Sequence, residues 1–174
     1  MAKLFVGIIF IFLDVNILFG NGVVGLLPDF LGYIFILLGM KELEEYSERF
    51  PDIRPYVLGM LAFSAVVFVL DALAVTNLLG EMGLMALKIL MTAGALFIAN
   101  RLIFALNDVE IALRRELNTI SLMNSWRIAA IFLILAYAML LLPQAAGFSS
   151  VVFLATGLFF VFTFSKSVRL FYAK

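Results

Sequence analysis

Six apolar segments follow one another along this chain, each long enough or nearly so to cross a lipid bilayer, and they constrain its fold more than any other feature. They run from about Leu4 to Gly20, Val23 to Met40, Tyr56 to Asn77, Gly83 to Leu106, Arg127 to Leu142 and Ser149 to Phe164. A helix needs about 20 apolar residues to span the hydrocarbon. The whole chain is 65% hydrophobic and only 14% charged, whereas a soluble domain is nearer half apolar. A soluble fold cannot hide that much apolar surface, and a bilayer does not require it to be hidden. The expected fold class is therefore all-α: a polytopic membrane bundle of about six transmembrane helices, forming one transmembrane domain over residues 1–174.

The polar breaks between segments support this division. Asn21-Gly22 is a turn signal, and Pro51 and Pro55 mark the break before the third span. Asp14 and Asn16 interrupt the first apolar run and no A-x-A cleavage pattern follows, so MAKLFVGIIFIFL reads as a retained span rather than a signal peptide.

Basic residues orient the bundle. Lys3 precedes span one. Lys41, Arg49 and Arg54 lie between spans two and three, and Arg101, Arg114, Arg115 and Arg127 surround the connection between spans four and five. Lys166, Arg169 and Lys174 follow span six. The opposite connections, 20–28, 77–83 and 143–149, contain no Lys or Arg. The positive-inside rule puts the basic side, and with it both termini, in the cytoplasm. Only Lys88 falls outside this scheme.

GYIFILLGMKEL from Gly32, GALFIANRLIFAL from Gly94 and GLFFVFTFSKSVRLF from Gly157 resemble one another, and their glycines are 62 and 63 residues apart. This spacing suggests three helical hairpins. It is also what any six-span chain with basic inner ends looks like. Gly7, Gly32, Gly39, Gly59, Gly94 and Gly157 are expected to allow close helix approach. The two longer inner connections, KELEEYSERF and NDVEIALRRELNTI, carry apolar residues at helical spacing. Each reads as an amphipathic connection or as a docking surface for a cytoplasmic partner, with Leu113 and Leu117 on the second.

Ionisable residues at membrane depth are costly and mark functional sites by default. Asp14, Asp29, Asp71 and Lys88 qualify, with Asn16 close to Asp14. At a rise of about 1.5 Å per residue, Asp71 lies roughly 22 Å from the inner surface, and Lys88 and Asp29 lie roughly 8–9 Å from the outer one. In a core of about 30 Å these are similar levels. The expectation is that Lys88 pairs with Asp71 or another aspartate, because an unpaired buried charge would cost several kcal/mol or neutralise. Three carboxylates against one ammonium leave acid in excess, suited to a cation or protons. The same energetics fit a structural ion-pair network. Pro28-Asp29 reads either as a capped helix start near the outer interface or as a broken helix facing a binding site.

LFVGIIFIFLDVNI followed by LLPDFLGYIFILLGMKELEE resembles uncharacterised multi-pass membrane proteins of Gram-positive bacteria that carry an LPDF-x-GY segment. The resemblance covers about the first 55 residues. It implies a bacterial plasma-membrane protein and no particular activity.

The chain has no Cys and no His, which removes thiol nucleophiles, the commonest general base, and His- or Cys-ligated metals. Glu44-Glu45-Tyr46-Ser47-Glu48-Arg49 fits the E-E-x-x-x-R pattern of CAAX-type intramembrane proteases. The further motifs of those enzymes need His, so the run reads as solvated charge. The net charge is near zero and gives no reason to expect nucleic-acid binding. No cofactor or metal is expected, and an intramembrane enzyme is the least favoured class. The favoured reading is a small transporter or a membrane substrate- or ion-binding subunit with a polar site in the outer half. In size and span count it is similar to the substrate-binding components of energy-coupling-factor vitamin transporters. The alternative is a structural or regulatory membrane protein acting through partners.

Overall fold

A computed structural model describes residues 1–13, 16–19, 22–25, 28–142 and 146–173, with the backbone alone for 16–19, 22–25, Asn77 and Ala146. Six helices dominate: α1 Ala2–Phe12, α2 Asp29–Leu43, α3 Arg49–Ala72, α4 Gly80–Leu113, α5 Thr119–Leu140 and α6 Ala146–Tyr172. Each packs on its neighbours in chain order, and α1 closes the ring against α6. Four of the six, α3 to α6, are long and apolar enough to cross a membrane. The chain is an integral membrane helical bundle.

The surface of these helices shows which solvent they suit. In α3 and α4, only 17% of the most apolar eighteen-residue window is buried inside the protein. Val66, Leu78, Met82 and Ile134 all stand exposed. Burying so little apolar surface against other helices is stable only where the surroundings are themselves apolar.

The first two expected spans differ from expectation. α1 has 11 residues and α2 has 15, which at about 1.5 Å per residue is roughly 16 and 22 Å, short of a full crossing. Between them the backbone of Asn16–Phe19 pairs antiparallel with Gly22–Gly25, Phe19 opposite Gly22. The physical cause is visible in LDVNILFGNGVVGLLPD: β-branched residues, Asn and Gly disfavour helix, and Pro28 fixes where the next helix starts. Pro28 is the N-cap of α2 with extended backbone, a place where its missing N–H costs nothing.

α1 and α2 lie antiparallel with their backbones in contact. A Cβ on Gly7 would stand 2.6 Å from the Gly32 carbonyl oxygen, and one on Gly39 would stand 2.7 Å from Leu4. Lys3 and the terminal ammonium of Met1 both pair with Glu42 at the basic end, and this holds the Glu42 carboxyl below its ordinary range, chiefly through the Lys3 hydrogen bond. Gly157 of α6 sits against the Phe12 carbonyl at the end of α1. Gly94 faces only the flexible Met60 side chain, and Gly59 has open space. Within the suggested hairpin repeat, Gly32 and Gly94 thus face their own hairpin partners, while Gly157 faces α1.

Because α1 and α2 both stop short of a full crossing, the core gathers towards the basic end. Leu4, Ile8, Ile36, Phe50, Val57, Leu102, Leu106, Val109, Leu122 and Phe164 are buried there. Hydroxyls tie the helices together within the bundle. Ser125 and Thr163 join α5 to α6 at 3.1 Å, and the Trp126 indole N–H donates to the Leu96 carbonyl oxygen at 2.9 Å. Such bonds are favoured where water does not compete.

Pro51 and Pro55 lie inside α3, which starts at Arg49, rather than in a break before it. Pro51, in the first turn, lacks an N–H that would have no helical partner, whereas Pro55, in the second, removes the one bond to the Pro51 carbonyl. The α4 helix runs on to Leu113, and at the basic end its Asp108 accepts hydrogen bonds from the Ser47 hydroxyl at 2.8 Å and from Arg49 at 2.9 Å. Arg49 of the E-E-x-x-x-R run is thus committed to a structural ion pair.

Candidate functional site

The point where α1 stops and α2 starts is the candidate site. Gly32 of α2 abuts Phe10 and Ile11 of α1, so the two helix ends lie side by side at about the same depth. Eleven residues from the basic surface place Phe12 about 16 Å in, near the bilayer midplane. Non-helical backbone at that depth is tolerated only where it is packed in protein or lines a water-filled cavity.

Asp29 is the first residue of α2, at the positive end of its dipole, where a carboxylate is favoured. The next residue, Phe30, meets Phe68 of α3 edge-on at 5.3 Å between centroids. Asp71 follows Phe68 by three residues, about one turn further from the basic end. The structure therefore brings Asp29 and Asp71 to adjoining levels on packed helices. Asp71 is exposed and accepts a 2.7 Å hydrogen bond from the Thr76 hydroxyl, which is itself buried.

Lys88 does not complete this group. Its side chain is exposed, and no ion pair joins it to a carboxylate among the described residues. The expected pairing of Lys88 with Asp71 is corrected accordingly. The reason is register as well as rotation: Met60 lies against Gly94 and Tyr56 meets Phe97, so Lys88 stands level with Val66, roughly 8 Å nearer the basic end than Asp71, and its side chain points off the bundle. A lysine roughly 8 Å below an interface can extend its ammonium to the headgroups, so no partner is needed. The backbone of Lys88 is held instead, its carbonyl oxygen accepting from the Tyr137 hydroxyl at 3.1 Å, while that hydroxyl lies 2.6 Å from Thr92.

Asp14 lies outside the described residues. Asn16 opens the first strand opposite Gly25, and its side chain is also outside them. Two contributors were not anticipated. Thr76 is five residues from Asp71 across a turn, a spacing with no strong signature. Tyr33 is 1% exposed and one helical turn after Asp29, within reach of its charge; the Asp29-x-x-x-Tyr33 spacing was the available signal.

Of the two readings of the connection after α4, amphipathic link or docking surface, its leucines fit the first. Leu117 is fully buried and Leu113 packs against the core. The chain between α4 and α5 folds back, with Arg114 and Asn118 in the left-handed region. Glu110 accepts from both the Thr119 hydroxyl (2.7 Å) and backbone N–H (3.2 Å), capping the start of α5. This turn points both leucines inward.

Comparison of the chain with protein-family models, curated proteins and solved structures gives no match.

Proposed function

We propose that the chain is a small plasma-membrane binding or transport protein that takes a cation or small cationic solute at the Asp29 level, reached from the side opposite its basic end. Its basic end and both termini face the cytoplasm, as the distribution of Lys and Arg favours. The observation that carries this reading is the mid-membrane break between α1 and α2 with a carboxylate at its edge. Paired half-helices with polar backbone between them are a recurrent way to place ion and substrate sites near a bilayer midplane. The C-terminal end of α1 adds partial negative charge beside Asp29, and Asp71 stands at an adjoining level with no ammonium paired to it among the described residues. That excess of acid favours a positively charged ligand. With no His or Cys in the chain, binding is a better account of the site than catalysis.

Thermal unfolding in lipid nanodiscs tests this against a panel of sodium, potassium, magnesium, calcium, choline and small primary amines. At a concentration a hundredfold above Kd, the bound cation is expected to add about 2.7 kcal/mol of stability, and Asp29→Asn is expected to remove the shift. A wild-type midpoint unmoved by every cation, or an equal shift in Asp29→Asn, would contradict the proposal.

A further inference from the structure

We propose a second site, independent of the first: the groove between α4 and α5 at the basic end binds the phosphate headgroup of an anionic phospholipid. The groove has a volume of about 260 Å³ and is lined by Ile103, Phe104 and Asn107 of α4 and by Thr119, Ile120, Met123, Asn124 and Arg127 of α5. Arg127 lies where the apolar run of α5 begins, so the groove sits at the headgroup layer. Trp126 beside it marks the same level, since indoles concentrate at that interface.

Charge selects the occupant. Arg127 is exposed and forms no ion pair with any described carboxylate. Of the two acidic groups on this end of α4, Asp108 is taken up by Arg49 and Ser47 away from the groove, and Glu110 by the hydroxyl and backbone N–H of Thr119 at the groove's edge, so neither pairs with Arg127. The Arg127 guanidinium is thus free to take a phosphate through two parallel hydrogen bonds. The amides of Asn107 and Asn124, both exposed, suit the hydroxyls of a glycerol headgroup. Phe104 and Ile120 are 42% and 77% exposed beside them, and they offer the apolar surface that the first acyl carbons need. A zwitterionic lipid brings its own ammonium to an already cationic groove and is disfavoured. Basic pockets between helices on the cytoplasmic side are a recognised form of lipid headgroup site.

Native mass spectrometry of the whole chain, released from detergent with graded phosphatidylglycerol or phosphatidylcholine, tests this. The wild type is expected to hold phosphatidylglycerol about tenfold more tightly than phosphatidylcholine, and Arg127→Gln to abolish that preference. Asn124→Leu narrows the groove without changing charge and is expected to weaken phosphatidylglycerol alike, while Lys166→Gln leaves it unchanged. Equal affinity for the two lipids in the wild type would overturn the proposal. So would an undiminished preference in both Arg127→Gln and Asn124→Leu, or full displacement of the lipid by millimolar inorganic phosphate, which would indicate a soluble phosphorylated ligand.

Discussion

Gly157→Ala is expected to destabilise the bundle by about 3 kcal/mol, the upper part of the range for overpacking a core. The added methyl would fall on the Phe12 carbonyl oxygen. A flexible side chain can swing away from such a contact. Here the obstacle is backbone at the end of α1, and α1 is itself fixed against α2 through Gly7 and Gly32. Phe12 also meets Phe160 of α6 at 4.7 Å between centroids, the rings tilted by 46°, so relief at Gly157 costs contact there. Gly59→Ala is the control. It has nothing within 4 Å and is expected to stabilise α3 by about 0.5–1 kcal/mol through the lost flexibility of glycine. Unfolding in mixed micelles with increasing SDS measures both. Equal costs at the two positions would refute the assigned seam.

The second large effect concerns the α1–α2 pair. Gly7→Ala and Gly32→Ala each place a methyl against the other's backbone, at 2.6 and 2.9 Å from a carbonyl oxygen. Each is expected to cost about 1–3 kcal/mol. The double variant is expected to cost less than the sum by about 1 kcal/mol, because the helices that have moved apart for the first methyl already admit the second. Strict additivity in a double-mutant cycle would mean that the two glycines do not face each other.

The seams show how far the sequence could be read. The six glycines look alike in a hydropathy plot, since each sits in an apolar run. Which of them meets backbone depends on rotation about the helix axis, which spacing along one helix does not fix. Lys88 and Asp71 illustrate the same limit. A constant rise per residue puts them at one level, but the register of α3 against α4 offsets them by more than a turn, and hydropathy fixes neither that register nor their directions. The four long spans were legible because α3 to α6 are continuous apolar helices. The first two were overextended because Ile17, Leu18, Val23 and Val24 keep hydropathy high while Asn16, Gly22 and Gly25 disfavour helix. Pro28 and Asp29 marked the real start of α2, and that was the feature from which a broken helix could be read. The folded-back turn after Leu113 had no comparable signal, since Arg114 and Asn118 are non-glycine residues in a left-handed conformation.

The central claim is that the break between the two short helices, α1 and α2, is wet and open on the side opposite the basic end. The chain contains no cysteine, so a single introduced thiol reports without background. Asp29→Cys stands at the break and Val66→Cys on the outward, apolar surface of α3, where Val66 is 57% exposed. In sealed, oriented vesicles, a charged, membrane-impermeant methanethiosulfonate added outside is expected to modify Asp29→Cys about a hundredfold faster than Val66→Cys. A rise of about two units in the pKa of a thiol surrounded by hydrocarbon would give that factor alone. Equal, slow modification of both thiols would mean that the region beside Asp29 is as dry as the lipid face, and the binding site proposed there would not exist.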